Sequence, residues 1–568
     1  MTAPFRRVWG SEGMSAFSWS GLAAPVRRLA ADPRRFPYLL GFAALVCVFA
    51  VNQAFWLTND DVAMSLIASG DGIAADPSPH LVLTNIAWGY LVHWFPDLGG
   101  IRAYTWVTYL GFLAAWGGCL WALMRSELDH RLAAAVLVLV FAPAIVHPQF
   151  TVLAGYLAAA ALLLACTAVA TGSIPAGAAA GGLLVLSGLV RADETALVLL
   201  VASPLCIVPL RAAWDSDLRA RWLAVAGIAA AAFLAFQLLD YFSFSSGDWA
   251  LYAQDYGLRT GFTDFKFSVY FREHPAELRG SGFSVNDMRL ISDWFYLDTQ
   301  VFSPERLEHL LASLPWQGRI HASLASSGEL LEPFVDPPVA ILAALVAVMV
   351  LFHRERGHLV AALVLLALVM VLLWFAGRPA ITRIYIPAFV ALVLLGLPRL
   401  RHDRRRAEDL LLVAVLVTAL VYCASLTHKD QSQRYKSREV QALSCSLPRD
   451  SLVVVWGGSY PFTAEYPPFQ PIGAGCPIDY YSFGEFSLAP YALEHLHRHT
   501  GGKDFVPALL AGQAFEFISE RAALTELQAY FRQHYSVHLE VTPGPSNAYF
   551  SLYRVAVERP VEPRAPYR

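Results

Sequence analysis

Two adjacent carboxylates, Asp60 and Asp61, follow the first apolar stretch of the chain, within "AFWLTNDDVAMSLIASG". A carboxylate beside a membrane surface can accept the proton of an attacking hydroxyl group, or it can hold a divalent ion such as Mg²⁺ or Mn²⁺. Asparagine and aspartate also favour helix N-termini, so one of the pair can simply cap a helix. The residue types predict catalytic roles for Asp60 and Asp61, and they leave open which of the two acts.

Further polar residues occur at three other turns between apolar stretches. Guanidinium groups match phosphate geometry and stay charged, so the arginines of these turns are predicted to bind phosphate. The alternatives are interface anchors for Arg378 and Arg383, and a structural ion pair for Arg191. The phosphate-binding candidates are Arg378, Arg383 and Arg191, and the substrate-binding candidates are His147, Gln149, Glu194, Tyr385 and, from a short segment nearer the N-terminus, His80.

The composition is that of a membrane protein. Of the 568 residues, 56% are hydrophobic and 15% are charged, and the mean hydropathy is +0.46. Soluble domains carry more charge than this. The formal net charge of −3 gives no reason to expect nucleic acid as a partner.

Eleven apolar stretches approach the length that a hydrocarbon core of roughly 30 Å requires. They predict a mainly α-helical polytopic fold with about eleven transmembrane helices. The stretches are 37–56, 103–124, 131–147, 150–170, 174–190, 194–210, 220–241, 336–352, 357–377, 381–398 and 407–426. A shorter segment, 80–95, is predicted to be interfacial or re-entrant. If it crossed the membrane, two basic markers of the cytoplasmic side would fall on opposite sides.

Those markers are the arginine-rich N-terminus and "RLRHDRRR" at 399–406, which the positive-inside rule places in the cytoplasm. The orientation predicts a cytoplasmic N-terminus at 1–36, a transmembrane domain at 37–426 and an extracytoplasmic domain at 427–568. It also predicts outer loops at 57–102 and 242–335. An amphipathic helix is expected in the first loop, from the acidic pair onward.

The C-terminal segment is predicted to form a small α/β domain. "SLVVVWGG", "SVHLEV" and "AYFSLYRVAV" are typical of strands, and "SERAALTELQAYFRQHY" is typical of an amphipathic helix. Cys445 and Cys476 lie in this polar part of the chain and are the candidates for a disulfide.

The predicted orientation places the acidic pair and the polar turns at the outer face. Chemistry at that face has no access to cytoplasmic nucleotide sugars or ATP, so an activated group must arrive on a lipid such as a polyprenyl phosphate. The acidic pair would then serve the acceptor hydroxyl, and the arginines would hold the departing phosphate.

This layout resembles the GT-C glycosyltransferase superfamily. The resemblance covers residues 37 to about 400 by topology, and its local motif is "NDD" at 59–61. The members of this superfamily that the chain resembles are the protein mannosyltransferases, the aminoarabinose transferases of lipid A and the mycobacterial arabinosyltransferases. It implies a polyprenyl-phosphate-linked sugar donor, and a glycan, lipid or protein acceptor. It also implies a catalytic or metal-binding aspartate, which is carried over to Asp60 first and Asp61 second.

Two other functions remain open on the residues. A lipid or glycan transporter would need polar groups at mid-bilayer, and an O-antigen polymerase or ligase would be built without the acidic pair. High alanine and arginine usage indicates a bacterial inner membrane with the site facing the periplasm or cell exterior.

Overall fold

The computed structural model describes residues 32–320, 326–379, 381–400, 405–447, 451–476 and 478–558. The predicted cytoplasmic segment 1–36 lies outside these residues except for its last five. Residues 401–404 of the basic marker at 399–406 also lie outside them.

Each of the eleven apolar stretches coincides with a helix over most of its length, and these helices form one bundle. Alanine, leucine and valine dominate these helices. In the helical conformation each segment satisfies its own backbone hydrogen bonds, as an apolar environment requires. The helices are α1 (Phe36–Val51), α4 (Ala103–Leu123), α5 (His130–Val146), α6 (Phe150–Thr171), α7 (Ile174–Val190), α8 (Ala192–Trp214), α9 (Arg219–Phe244), α14 (Pro337–Phe352), α15 (Arg356–Phe375), α16 (Thr382–Gly396) and α17 (Arg405–Ser444).

Within the described ranges, seven helices are long and apolar enough to cross a membrane, or eight if one bent pair is a single span. Three shorter apolar helices, α1, α5 and α7, fall below that length. The chain is therefore a mainly helical membrane protein, and the count of eleven spans stays a prediction. The segment 80–95 contains only the short helix α3 (Ile86–Trp94), which is too short to span.

Helix α6 lies at the centre of the bundle and is buried along most of its length. It packs against α16, which carries a proline inside the helix. A Cβ atom at Gly155 would lie 2.0 Å from Cβ of Pro387. Glycine at position 155 is therefore required for α6 and α16 to approach this closely.

At one side of the bundle, the C-terminal ends of some helices lie beside the N-terminal ends of others. We call this side the domain side. Phe55 N donates to Val146 O at 3.0 Å, and Asn85 N donates to Leu189 O at 2.9 Å. The short helix α2 (Asn59–Ser69) packs at this side, as do α10 (Asp248–Thr263), α11 (Phe267–Glu273), α12 (Val285–Ser292) and α13 (Pro304–Ser313). Helix α2 is mostly buried between its neighbours.

The C-terminal region is an α/β unit around a mixed five-stranded sheet. The strands are β1 (Val453–Trp456), β2 (Tyr480–Phe483), β3 (Phe515–Ile518), β4 (Leu539–Ser546) and β5 (Ser551–Val557), in the order β2-β1-β3-β5-β4. The first three strands are parallel, with Val454 opposite both Tyr481 and Phe517, and β5 pairs antiparallel with β3 and β4. The helices of this region are α18 (Phe462–Glu465), α19 (Pro490–Thr500), α20 (Phe505–Leu510) and α21 (Arg521–Tyr535).

Helix α17 connects the bundle to this sheet region without interruption. It runs for 40 residues, so it extends about 60 Å at the usual rise per residue. The domain boundary predicted at 426/427 falls inside this helix. Beyond the helix, Cys445 and Cys476 form a disulfide.

The predicted loop 242–335 and the sheet region pack against each other. Asp298 accepts hydrogen bonds from Tyr530 Oη at 2.6 Å and from Tyr535 Oη. Trp456 Nε1 donates to Asp293 O at 3.1 Å. These contacts place the edge of the sheet over the domain side of the bundle.

Candidate active site

A cavity of about 570 Å³ lies where the domain side of the bundle meets the sheet region. Both charged and aromatic side chains line it, so we call it the charged cavity. The charged residues are Asp60, Asp193, Asp264, Glu485, Arg191, Arg378 and Arg383; the aromatic ones are Tyr256, Phe265, Trp294, Phe462, Tyr480, Phe483 and Phe486.

Asp60 lines this cavity from the first turn of α2. Arg383 Nη1 donates to Asp60 Oδ2 at 3.1 Å, and the two side chains are 28% and 27% exposed. The residue before α2, Thr58, makes no side-chain cap, and Asp60 is inside the helix. The carboxylate is therefore oriented by an arginine of α16 and stays open to the cavity.

Asp61 has a different environment from its neighbour. It is 0% exposed and accepts from Thr58 Oγ1 at 2.8 Å, Tyr104 Oη at 3.0 Å and Phe150 N at 3.0 Å. Burial raises the pKa of Asp61 to about 7, although the three donors favour the carboxylate. Asp61 joins α2 to α4 and α6, which is a structural role.

The three predicted phosphate-binding arginines all line the charged cavity. Arg378 Nη1 lies 3.3 Å from Asp264 Oδ2, and Arg383 binds Asp60. Arg191 forms no ion pair with the described residues, and its guanidinium lies 5.2 Å from the centre of the Phe150 ring. Arg191 is thus the cation that an incoming phosphate can bind without displacing a carboxylate.

The sheet region contributes Glu485, which lies two residues beyond the end of β2. Its carboxylate accepts a hydrogen bond from Tyr256 Oη of α10. Burial, and next the nearby Asp60, raise the pKa of Glu485 to about 7. Burial also raises the pKa of Asp264, against the opposing effect of Arg378. Glu485 and Asp264 therefore hold protons more tightly than free carboxyl groups do.

Trp294 presents an aromatic side chain to the cavity from a strained backbone position. Its φ is 65°, a left-handed conformation that bulky residues rarely adopt. Strain of this kind persists where the surrounding structure fixes it and often marks functional sites. Aromatic rings beside carboxylates and amides suit the binding of a sugar ring.

Three of the predicted substrate-binding residues do not line the charged cavity. Gln149 is fully buried and caps α6, with Val152 N donating to its Oε1 at 2.8 Å. Tyr385 Oη donates to Pro379 O at 2.8 Å. Glu194 is 3% exposed and lies behind the cavity, beside Gly155.

The two predicted histidines also lie away from the charged cavity. His147 is the C-cap residue of α5 and does not belong to the lining. His80 stacks on Trp249 with ring centres 4.3 Å apart and bonds Ser243 Oγ at 2.9 Å. Aromatic packing and a single hydroxyl contact explain its position without a substrate.

The carboxylates of Asp60 and Asp61 bind different partners and do not form a joint metal site. Across the described ranges, no group of three or more His, Cys, Asp or Glu side chains is placed to hold a metal ion. A metal role for either aspartate stays a prediction.

Sequence reasoning did not select Tyr256, Asp264, Trp294 or Glu485 for the site. Ligands often bind beyond the carboxyl ends of parallel strands, and "GEF" at 484–486 follows β2 directly. That rule would have selected Glu485. Residues 256–294 carried no local motif, because their position depends on how α10 to α12 pack under the sheet.

Comparison of the chain with family models, with curated proteins and with solved structures gave no match.

Proposed function

We propose that the protein is a membrane glycosyltransferase that moves a sugar from a polyprenyl-phosphate donor to an acceptor hydroxyl group, with inversion. The observation that carries this proposal is the charged cavity, in which a carboxylate, an unpaired arginine and several aromatic rings converge at the domain side of a membrane bundle. We further propose that this side faces the periplasm or cell exterior of a bacterium.

In the proposed step, the acceptor oxygen attacks the anomeric carbon as the bond from that carbon to the phosphate oxygen breaks. The hydroxyl proton passes to Asp60, and the electron pair of the broken bond leaves with the phosphate. Arg191 binds the phosphate, where charge develops. Arg378 lines the same cavity and helps to stabilise that charge. Arg383 keeps the Asp60 carboxylate in place.

The aromatic and acidic side chains from α10 and the sheet region would hold the sugar and the acceptor. Carboxylates accept hydrogen bonds from hydroxyl groups, and aromatic faces pack on the apolar face of a sugar ring. The involvement of Glu485 gives the C-terminal region a direct part in the reaction. Whether the acceptor is a glycan, a lipid or a protein depends on the opening of this cavity to each.

The test uses the adjacent aspartates as a matched pair. Lipid that copurifies with the full chain would be identified by mass spectrometry, and its labelled form would serve as donor in a transfer assay. Asp60→Asn should lower kcat by about 10²–10⁴-fold, the usual contribution of a general base. Asp61→Asn should lower thermal stability, and its folded fraction should keep a measurable transfer rate.

Full transfer activity in Asp60→Asn would contradict the mechanism. Movement of intact donor across vesicles without release of polyprenyl phosphate would contradict the function and would indicate a transporter.

A further inference from the structure

A second cavity, of about 710 Å³, opens at the domain side beside the end of α1. It shares no lining residue with the charged cavity, and its volume lies in the range of ligand-binding pockets. Three segments form it: residues 49–54, residues 434–441 of α17, and residues 467–475 of the loop before β2. We call it the basic cavity.

The side chains that line the basic cavity carry a net positive charge. Its described lining includes Arg434 and Arg438 and no carboxylate. Arg434 Nε lies 2.7 Å from Asp430, which is buried behind it at 3% side-chain exposure. Arg438 makes no hydrogen bond or ion pair with the described residues. The mouth of the basic cavity therefore presents a guanidinium that is free to bind an anion.

Amide groups and an aromatic ring complete the lining. Asn52 is 6% exposed, and its Oδ1 has no hydrogen-bond partner among the described residues. Gln470 Oε1 is likewise buried without a partner there. A buried acceptor without a donor is unfavourable, so a ligand with hydroxyl or amine groups would stabilise this arrangement.

The position relative to the bundle points to a lipid. Arg434 Nη2 donates to the carbonyl of Val51 at 3.0 Å, so the guanidinium is level with the end of the apolar helix α1. Farther along the bundle, α1 and α17 expose apolar side chains, including Val46, Leu420 and Val421. A head group in the cavity would leave its chains against this apolar surface.

We propose that the basic cavity binds the phosphate-bearing head group of a membrane lipid, with Arg438 and Arg434 on the phosphate. The cavity is built before any ligand arrives, because its loop wall is fixed at several points. Cys476 anchors one end through the disulfide, and Pro468 O accepts from Thr105 Oγ1 at 2.7 Å. This site is independent of the reaction proposed for the charged cavity.

The test measures binding of short-chain lipids to the detergent-purified full chain by native mass spectrometry. Dioctanoyl phosphatidic acid should bind at least about tenfold more tightly than dioctanoylglycerol, which lacks the phosphate. Arg438→Gln should weaken phosphatidic acid binding about tenfold by the same contacts. Lys436→Gln is the matched control, because Lys436 lies on α17 but contacts Tyr549 outside the cavity.

A second variant guards against indirect effects on the helix. Ala474→Trp places a ring in the mouth of the basic cavity and should also reduce phosphatidic acid binding. Wild-type binding in both Arg438→Gln and Ala474→Trp would overturn the proposal. Inorganic phosphate that competes as strongly as phosphatidic acid would overturn the assignment to a lipid.

Discussion

The charged cavity and the basic cavity lie on the same side of the molecule, and both contain arginine. In the charged cavity, Arg378 and Arg383 are paired with Asp264 and Asp60, and Arg191 is left unpaired. In the basic cavity, the lining has no carboxylate. Transfer needs a proton acceptor beside a phosphate-binding cation, so only the charged cavity has the groups for chemistry, and the basic cavity has those for binding alone.

The largest effect that separates the two cavities is expected from Arg191→Gln. Loss of the unpaired guanidinium removes stabilisation of the departing phosphate, and kcat/KM for transfer should fall about 10²–10³-fold, as for other preorganised electrostatic contacts. Binding of phosphatidic acid to the basic cavity should not change. Steady-state transfer kinetics and native mass spectrometry measure the two quantities.

Arg219→Gln is the matched control, because Arg219 begins α9 at the opposite end of that helix from the domain side and contacts Trp214. A loss of phosphatidic acid binding in Arg191→Gln would show that the two cavities are not separate sites.

The disulfide should affect the basic cavity far more than the charged one. Cys445 and Cys476 are 31 residues apart. In the chain-entropy treatment, removal of a disulfide that closes a loop of this length lowers the free energy of unfolding by about 3–4 kcal/mol. The double change Cys445→Ser with Cys476→Ser should lower the unfolding temperature and weaken phosphatidic acid binding. Cys47→Ser, at an exposed free cysteine, is the control.

If the double serine variant bound phosphatidic acid as tightly as the parent at a temperature where both are folded, the loop wall would not define the basic cavity.

Between pH 5 and 8 the two cavities should respond differently to pH. Burial raises the pKa of Glu485 to about 7, so the folded state keeps its proton longer than the unfolded chain does. That contribution to stability is complete below the unfolded pKa and is lost as the pH rises through 7, by at most about 1.4 kcal/mol per pH unit. Arginines do not titrate in this range.

Thermal unfolding at several pH values would measure this in the parent and in Glu485→Gln. The variant should lose part of the decline in stability between pH 5 and 8. An identical pH profile in the two proteins would show that Glu485 ionises normally.

Hydrophobic periodicity was sufficient to find the helices and most strands. Each predicted apolar stretch is helical over most of its length, and β1, β5 and α21 lie in the segments predicted for them, whereas β4 overlaps its predicted segment only at residues 539–541. These elements depend on local composition. Helix ends are less determined by composition, since α1 ends at Val51 although its apolar run continues to residue 56.

The site was predictable where charged residues stood at turns between apolar stretches. Asp60, Arg191, Arg378 and Arg383 all line one cavity, but the sequence could not separate Asp60 from Asp61. That difference comes from tertiary packing, because Tyr104 and Phe150 N donate to Asp61 only once α4 and α6 are in place. Gln149 likewise became a helix cap because its side chain faces its own α6.

The smallest expected effect concerns Trp294, which lines only the charged cavity. Trp294→Ala removes the ring but keeps a Cβ at a φ of 65°, whereas Trp294→Gly removes both. The glycine variant should be about 1 kcal/mol more stable than the alanine variant, since only glycine adopts this backbone without strain. Both should show a raised KM in transfer, because neither offers an aromatic face to the sugar.

Thermal unfolding and KM measured on the two variants separate strain from binding. Equal stability would show that position 294 is relaxed in solution, and an unchanged KM would remove Trp294 from the sugar-binding surface.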